Sequence, residues 1–381
     1  MKSTSLVLLA ILTLGAAGAA YFARNQRSKT SSSATLPDRL LPEFTSKVNE
    51  VASIEVKKGK ETTQLIKKGD EWTLGNRGGY LVEFEKVKQA VMAVADLRVL
   101  EAKTRLPERY HDLELDDPDK EGSTSARLTL KSRDGGVLAA LVVGKTSWAG
   151  KPTVYVRKID DPQSYQCQGE LRLEESPTSW IKKDILKIDR DRVKSVEVQH
   201  ADGELLKIRR EKREDLDFAV EGIPAGRELS SSGAAGPLGS ALSRLTAEDV
   251  ASVSDLDLSG QPITSCQFRC FDGLALKVEL ADKDGKSWAR FTPTFEAPPA
   301  PASQPAESAP AGAAKLASVE EAKKEVDDLN KLLGGWTYAL PSYKVTSLRM
   351  RLAEFLKPLP TPPADTEPVK SSADSTETRD H

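Results

Sequence analysis

Histidine and cysteine are nearly missing from this chain, at three residues each in 381. His111 and His200 are isolated and His381 lies near the end, so a histidine-rich zinc site or a Ser-His-Asp arrangement has little to draw on. No Gly-x-Ser-x-Gly elbow and no Cys-x-x-Cys pair occurs. Three cysteines are too few for a disulfide framework, and the number is odd. Cys266 and Cys270 fall in an expected strand, where four residues span about 13 Å. A disulfide needs Cα atoms within about 7 Å, so these two cannot pair without a bend. Cys167 could pair with one of them if the fold brings them together; free, buried thiols are the expected state. An excess of either charge is also lacking. The net charge is −2, which leaves no basic field to capture nucleic acid or anionic lipid.

What is present is a soluble-type body, 39% hydrophobic and 29% charged, long enough for two domains with linkers. Residues 1–5 read as a short polar start. Residues 6–23 form an uncharged apolar run from Leu6 to Ala23, about 27 Å long as a helix and just able to cross a bilayer core. Two readings compete: a signal peptide cleaved around Ala17-Gly-Ala19, or an uncleaved transmembrane anchor. The anchor is favoured, because Tyr21 and Phe22 extend the run beyond the cleavage point and suit the interface. No cysteine follows the run, which excludes a lipoprotein anchor. Residues 24–35 make a polar stalk. Lys2 faces Arg24, Arg27 and Lys29 across the run, which taken alone would leave the body cytoplasmic.

The body repeats itself. Val51-Ala-Ser-Ile-Glu-Val56 returns as Val193-Lys-Ser-Val-Glu-Val198, and each alternating strand is followed by a second, Thr62 to Lys67 and Glu204 to Arg209. Trp72 and Leu74 match Leu216 and Phe218. A helical stripe follows each: Phe84, Val87, Val91 and Val94, then Leu238, Leu242 and Leu245 after a Gly/Ser-rich lead-in. Asp112 to Pro118 parallels Asp255 to Pro262, and hairpins follow at Ala126 to Val143 and Gln267 to Leu280, turning at Asp134-Gly-Gly136 and Asp272-Gly273. Both run on to a corner, Gly144 to Trp148 and Gly285 to Trp288. The offset stays near about 140 residues throughout. Each copy closes with a strand and a helix: Tyr165 to Gln168 then Ser176 to Leu186, and Trp336 to Leu340 then a helix with Val345, Leu348, Leu352 and Phe355 on one face.

The expected fold is therefore α+β: two diverged repeats of a strand-strand-helix-hairpin-strand-helix unit with mainly antiparallel sheets, behind one N-terminal transmembrane or signal helix. The repeats take residues 36–187 and 188–357. The second carries a Pro/Ala-rich, disordered loop at 297–314 and an inserted helix at 318–333, opened by a Ser318–Glu321 capping box with Val319, Ala322, Val326, Leu329 and Leu333 as its seam. Residues 358–381 form a disordered tail.

Two motifs invite chemistry and lose it on inspection. Gly144-Lys-Thr-Ser resembles the end of a phosphate-binding loop, but Ala139 stands where the earlier glycine is needed and a strand precedes it. A structural corner is the better reading. Asp112, Glu114, Asp116, Asp117 and Asp119, and the stretch Asp255 to Gly260, suggest Ca²⁺. The second has Cys266 where a bidentate Glu is required, and the first lacks the glycine of the sharp turn. Alternation instead suits extended segments that bury Leu113, Leu115, Leu256 and Leu258. No residue is assigned a catalytic, cofactor-binding or metal-binding role, and no cofactor is expected. Trp72, Trp148, Trp180, Trp288 and Trp336 are read as core or corner residues rather than a sugar-stacking platform.

With the repeat laid out, the chain resembles the uncharacterised bacterial family "domain of unknown function forty-three-forty". The resemblance rests on the strand pair ending at Trp72, the helix Phe84 to Val94, Leu113-Glu-Leu-Asp-Asp-Pro118 before Leu128-Thr-Leu130, and Leu141-Val-Val-Gly144. Val154-Tyr-Val-Arg157 and Trp336-Thr-Tyr-Ala-Leu340 with its helix complete it, covering about Leu40 to Lys357. His111 and Asp112 depart from the pattern, where a Gly commonly precedes the Leu, as does the Pro/Ala insertion. The resemblance implies one N-terminal membrane helix, a periplasmic body and a link to ABC-type export or gliding-related transport components, and it brings no catalytic residues. It decides the orientation: inner membrane, single-pass, body in the periplasm, with a secreted periplasmic form as the alternative. A non-enzymatic accessory or scaffold of a membrane transport assembly is the function expected. The alternatives are a module for cell-wall or exported polysaccharide, which calls for exposed Trp148 and Trp288, and remotely a carboxylate-dependent hydrolase.

Overall fold

A computed structural model describes residues 37–174, 176–297 and 316–358. The expected anchor and stalk, nearly all of the Pro/Ala-rich loop and of the C-terminal tail lie outside the described residues. Among the described residues no helix is long and apolar enough to cross a membrane. Two compact units form: one runs to Lys183 and takes in Asp249–Ser252, and the other holds Asp184–Glu248 and the chain from Val253.

Alternating apolar residues build the first unit's strands. They are β1 (Val51–Lys58), β2 (Glu61–Lys68), β3 (Glu71–Leu74), β4 (Tyr80–Leu81), β5 (Arg98–Ala102), β6 (Ala126–Ser132), β7 (Val137–Ser147), β8 (Thr153–Lys158) and β9 (Ser164–Gln168). In the sheet they lie in the order β4-β3-β2-β1-β6-β7-β8-β9-β5, each neighbouring pair antiparallel. Ile54, Val56, Leu128, Leu130, Leu141 and Val156 point to one buried face, as a period of two requires. Helix α1 (Phe84–Asp96) lays Val87, Ala90, Val91 and Val94 inward next to the 3₁₀ turn Pro42–Ser46, whose Phe44 is buried. Phe84, expected on that stripe, is 54% exposed at the helix start.

The second unit holds β10 (Asp184–Leu186), β11 (Val193–Gln199), β12 (Leu205–Arg209), β13 (Ala219–Val220) and β14 (Leu245–Thr246). With Asp249–Ser252 taken as β15 in chain order, it continues with β16 (Thr264–Cys270), β17 (Leu274–Lys283), β18 (Lys286–Phe295) and β19 (Trp336–Ala339). Its main sheet runs β13-β12-β11-β16-β17-β18-β19, antiparallel throughout, and β10 pairs separately with β14. A register shift separates Val51 from Ser53 in one sheet and Val193 from Ser195 in the other. The β17–β18 turn is Asp284-Gly285, both with positive φ, a two-residue connection that matches strand twist.

The helices depart most from expectation. The stripe Leu238, Leu242, Leu245 is fully buried, yet only Gly236–Gly239 is helical (α2). Gly, Pro and Gly in four residues are poor helix formers, and a Cβ on Gly239 would stand 2.2 Å from the Phe218 ring. Leu216, which the repeat sets opposite Trp72, is 82% exposed, whereas Trp72 is buried. The expected helix at Ser176 to Leu186 is a 3₁₀ turn, Pro177–Ser179, leading into β10. Its backbone bonds to an earlier strand end instead: Glu83 N–H donates to Trp180 O at 2.8 Å and Lys182 N–H to Leu81 O at 3.0 Å. The final helix is two, α4 (Ser342–Leu348) and α5 (Leu352–Phe355), because Arg351 turns to Asp202 and Glu204 and Leu352 N–H donates to Glu204 at 3.1 Å. The inserted helix α3 (Val319–Leu333) forms with its capping box, and Ala322, Val326 and Leu333 bury while Val319 stays exposed.

Candidate functional site

The first unit carries a groove of about 610 Å³ at the end of the sheet where β1, β6 and β7 meet the segment Leu171 to Glu174. Its floor is apolar and buried: Val56, Ala126, Val143 and Leu171. Its walls are Lys58, Glu114, Thr146, Trp148, Arg172 and Glu174.

Glu114 reaches the groove through a strained turn. Pro107 opens a 3₁₀ helix, Pro107–Leu113, where its fixed φ fits and its missing N–H costs nothing. Tyr110 and Leu115 pack on Val142, and the Tyr110 hydroxyl donates to Pro162 O at 2.6 Å. Arg157 stacks over the Tyr110 ring at 4.8 Å. The chain then reverses at Glu114, at φ 56 and ψ 39. A left-handed conformation costs a non-glycine residue about 1 kcal/mol. Gly144 lies directly beneath, and a Cβ there would stand 2.4 Å from Leu113 O and 2.6 Å from Glu114 O. The segment Asp112 to Pro118 is thus a 3₁₀ helix and turn, not the expected extended stretch, and of its leucines Leu115 is fully buried while Leu113 is half-buried.

Trp148 follows β7, whose pairing with β8 shifts register between Val143 and Thr146. Gly144 to Ser147 therefore continues a strand, where a corner was expected; the counterpart at Gly285 is a turn. Trp148 is 45% exposed, with the Arg172 guanidinium 4.3 Å over its ring. Trp288, the second aromatic that a polysaccharide module would need exposed, is buried in β18 in keeping with a core or corner residue, and its Nε1–H donates to Lys283 O at 3.2 Å. Glu174 lies 3.3 Å from Lys86 Nζ, and Arg172 3.0 Å from Glu170. Beyond them a second cavity of about 620 Å³ shares Arg172 and Glu174 and runs along Lys86, Gln89 and Met92 of α1.

The acids of the first cluster have cationic partners rather than a shared centre. Asp116 pairs with Lys120 at 2.8 Å, Asp117 with Arg127 at 2.7 Å, and Asp119 with Lys57. The Lys57 ammonium bonded to Asp119 holds its carboxyl below the usual range. Among the described residues no group of three or more His, Cys, Asp and Glu could hold a metal ion. His111 sits 3.0 Å from Asp112, and His200 is buried 3.2 Å from Met350 O. All three cysteines are free and buried. Burial pushes the thiols of Cys167, Cys266 and Cys270 up to about 12, so none is poised as a nucleophile.

The sequence marks Trp148 both as a core or corner residue and as one of the exposed aromatics a polysaccharide module calls for, and Glu114 as part of an acidic run, while Lys58, Arg172 and Glu174 carry no signal as groove residues. Those five come from segments far apart in the chain, and only the sheet order brings them together. The one local signal was an aromatic followed by Ala149-Gly150-Lys151, a polar loop in which a core tryptophan has no place.

Residues 72–261 match the family described as Domain of unknown function (DUF4340), and the chain belongs to that family. The match runs from Trp72 to Gln261, a shorter stretch than the sequence resemblance suggested. No curated protein and no solved structure matches the chain.

Proposed function

We propose that this member of the DUF4340 family is a non-enzymatic, membrane-tethered envelope protein that serves as an accessory or scaffold of a membrane transport assembly of the ABC-export or gliding-related kind. Residues 6–23 are its single-pass anchor and the body faces the periplasm. The observation that carries the reading is the joining of an uncharged apolar run, Leu6 to Ala23, by a short polar stalk to a body of two sheet units. A tethered body of this build offers surface to neighbours in the membrane.

The two units are in this reading diverged copies of one ancestor. The shared strand order, from β3-β2-β1-β6-β7-β8-β9 to β13-β12-β11-β16-β17-β18-β19, supports it, as does the register shift two residues into β1 and β11. Such duplication doubles the surface of one tethered chain without adding chemistry.

Crosslinking in intact cells, followed by mass spectrometry of the full-length protein, tests both parts. Permease subunits of an ABC-type exporter are expected among the crosslinked partners, with peptides from residues 1–23 present in the mature chain. Repeated recovery of the protein alone overturns the assembly role. Loss of residues 1–23 from every mature molecule overturns the tether.

A further inference from the structure

We propose that the groove beside Trp148 binds an oligosaccharide chain, a role separate from any contact with transport subunits. Its parts are those a pyranose needs. One face of a sugar ring is a patch of C–H groups that stacks on an aromatic surface, and its hydroxyls both donate and accept. Trp148 supplies the surface: the residue is 45% exposed, with the Arg172 guanidinium 4.3 Å over its ring. Around it stand donors, Lys58 and Arg172, acceptors, Glu114 and Glu174, and the hydroxyl of Thr146, which does both.

The charge pattern selects against other ligands. Two carboxylates beside two cations give neither a polyphosphate nor a polycation a net attraction, while a neutral polyhydroxylated chain finds both donors and acceptors there. A second cavity of about 620 Å³ shares Arg172 and Glu174 with the groove and lies along α1, so further sugars of a chain have room beside the first.

Glu114 strengthens the inference. A left-handed position at the end of a helical turn is occupied most cheaply by glycine, and this chain places a glutamate there, at the groove wall. Strain retained at a cavity wall is a mark of function.

The test is titration of the purified full-length chain with three probes, chitotetraose, cellotetraose and maltotetraose, followed by tryptophan fluorescence and calorimetry. Saturable binding to at least one is expected. Trp148→Ala should weaken it about ten-fold or more, while Trp336→Phe leaves it unchanged. Glu114→Gly should weaken binding with no loss of thermal stability, which separates a ligand contact from a structural one. Absence of saturable binding to all three probes up to about 10 mM overturns the proposal. So does unaltered affinity in a Trp148→Ala chain with a native circular dichroism spectrum. Shortening of a bound tetraose would uphold the saccharide site and overturn only the non-enzymatic reading.

Discussion

At the scale of single residues, the groove wall depends on an atom that is not there. Gly144 has no left-handed φ to justify glycine; it is required because its missing Cβ would fall onto the backbone oxygens of Leu113 and Glu114. Backbone cannot swing aside as a long side chain can, so Gly144→Ala must push the Glu114 turn off the sheet or strain β7. The expected loss is about 1–3 kcal/mol, the range of a small overpacking change in a fixed site. Gly150 offers the contrast. It has φ +74 and open space around it, so alanine there meets conformational strain alone and should cost about 1–2 kcal/mol, with no steric part. Denaturant unfolding of both variants checks the order. Equal midpoints for Gly144→Ala and the parent chain would show that the turn moves freely and that the groove wall is not fixed by this contact.

Among whole elements, α3 shows how much a helix added between β18 and β19 relies on its ends and its anchors. Ser318 accepts from Glu321 N–H at 3.3 Å, and Glu321 accepts from Ser318 N–H at 2.7 Å. Arg192 clamps its middle, donating to both oxygens of Glu325 at 3.0 and 2.8 Å and to buried Asp272 at 2.9 Å. Asn330 ties the far end to Pro293 O at 3.2 Å. Ser318→Ala should therefore cost about 1 kcal/mol, and amide hydrogen exchange should show faster opening of the first turn with the clamped remainder unchanged. Uniform acceleration along α3 would place its anchorage at the cap instead. This helix was legible because a capping box and a helical stripe are local signals. The strands and hairpins were legible for the same reason, through alternation and the Asp-Gly turns. The segments Ser176 to Leu186 and Leu238 to Leu245 were not, because partners distant in sequence, Leu81 with Glu83 and Phe218, decide their conformation. The groove was least legible of all: Lys58, Glu114, Trp148 and Arg172 share no pattern until the sheet is assembled.

Over the whole molecule, the titrating groups set a pH window for stability, and the two limbs have different origins. On the acid side, Asp119, Asp202, Asp257 and Asp282 have carboxyls held low, chiefly by side-chain hydrogen bonds to Lys57, Arg351, Ser259 and Arg349 in turn. A depressed folded value means stability present above the unfolded value and lost as pH falls through the folded one. All four are exposed, so this limb is shallow. The alkaline limb comes from the interior. Cys167 in the first unit, and Cys266 and Cys270 in the second, are raised by desolvation to about 12, while an unfolded thiol ionises near 8.5. A raised folded value means stability present below the unfolded value and lost as pH rises towards the folded one. Each thiol then removes about 1.4 kcal/mol per pH unit, so the second unit should weaken at about twice the rate of the first. Denaturant midpoints from pH 7 to 11 should stay level to about pH 8.5 and then fall. Cys266→Ala loses some stability at pH 7 by opening a small cavity, yet it should flatten the alkaline fall by one proton's worth. A chain whose midpoints hold level to pH 11, or a Cys266→Ala variant that keeps the parental slope, would mean that these thiols reach water in the folded state.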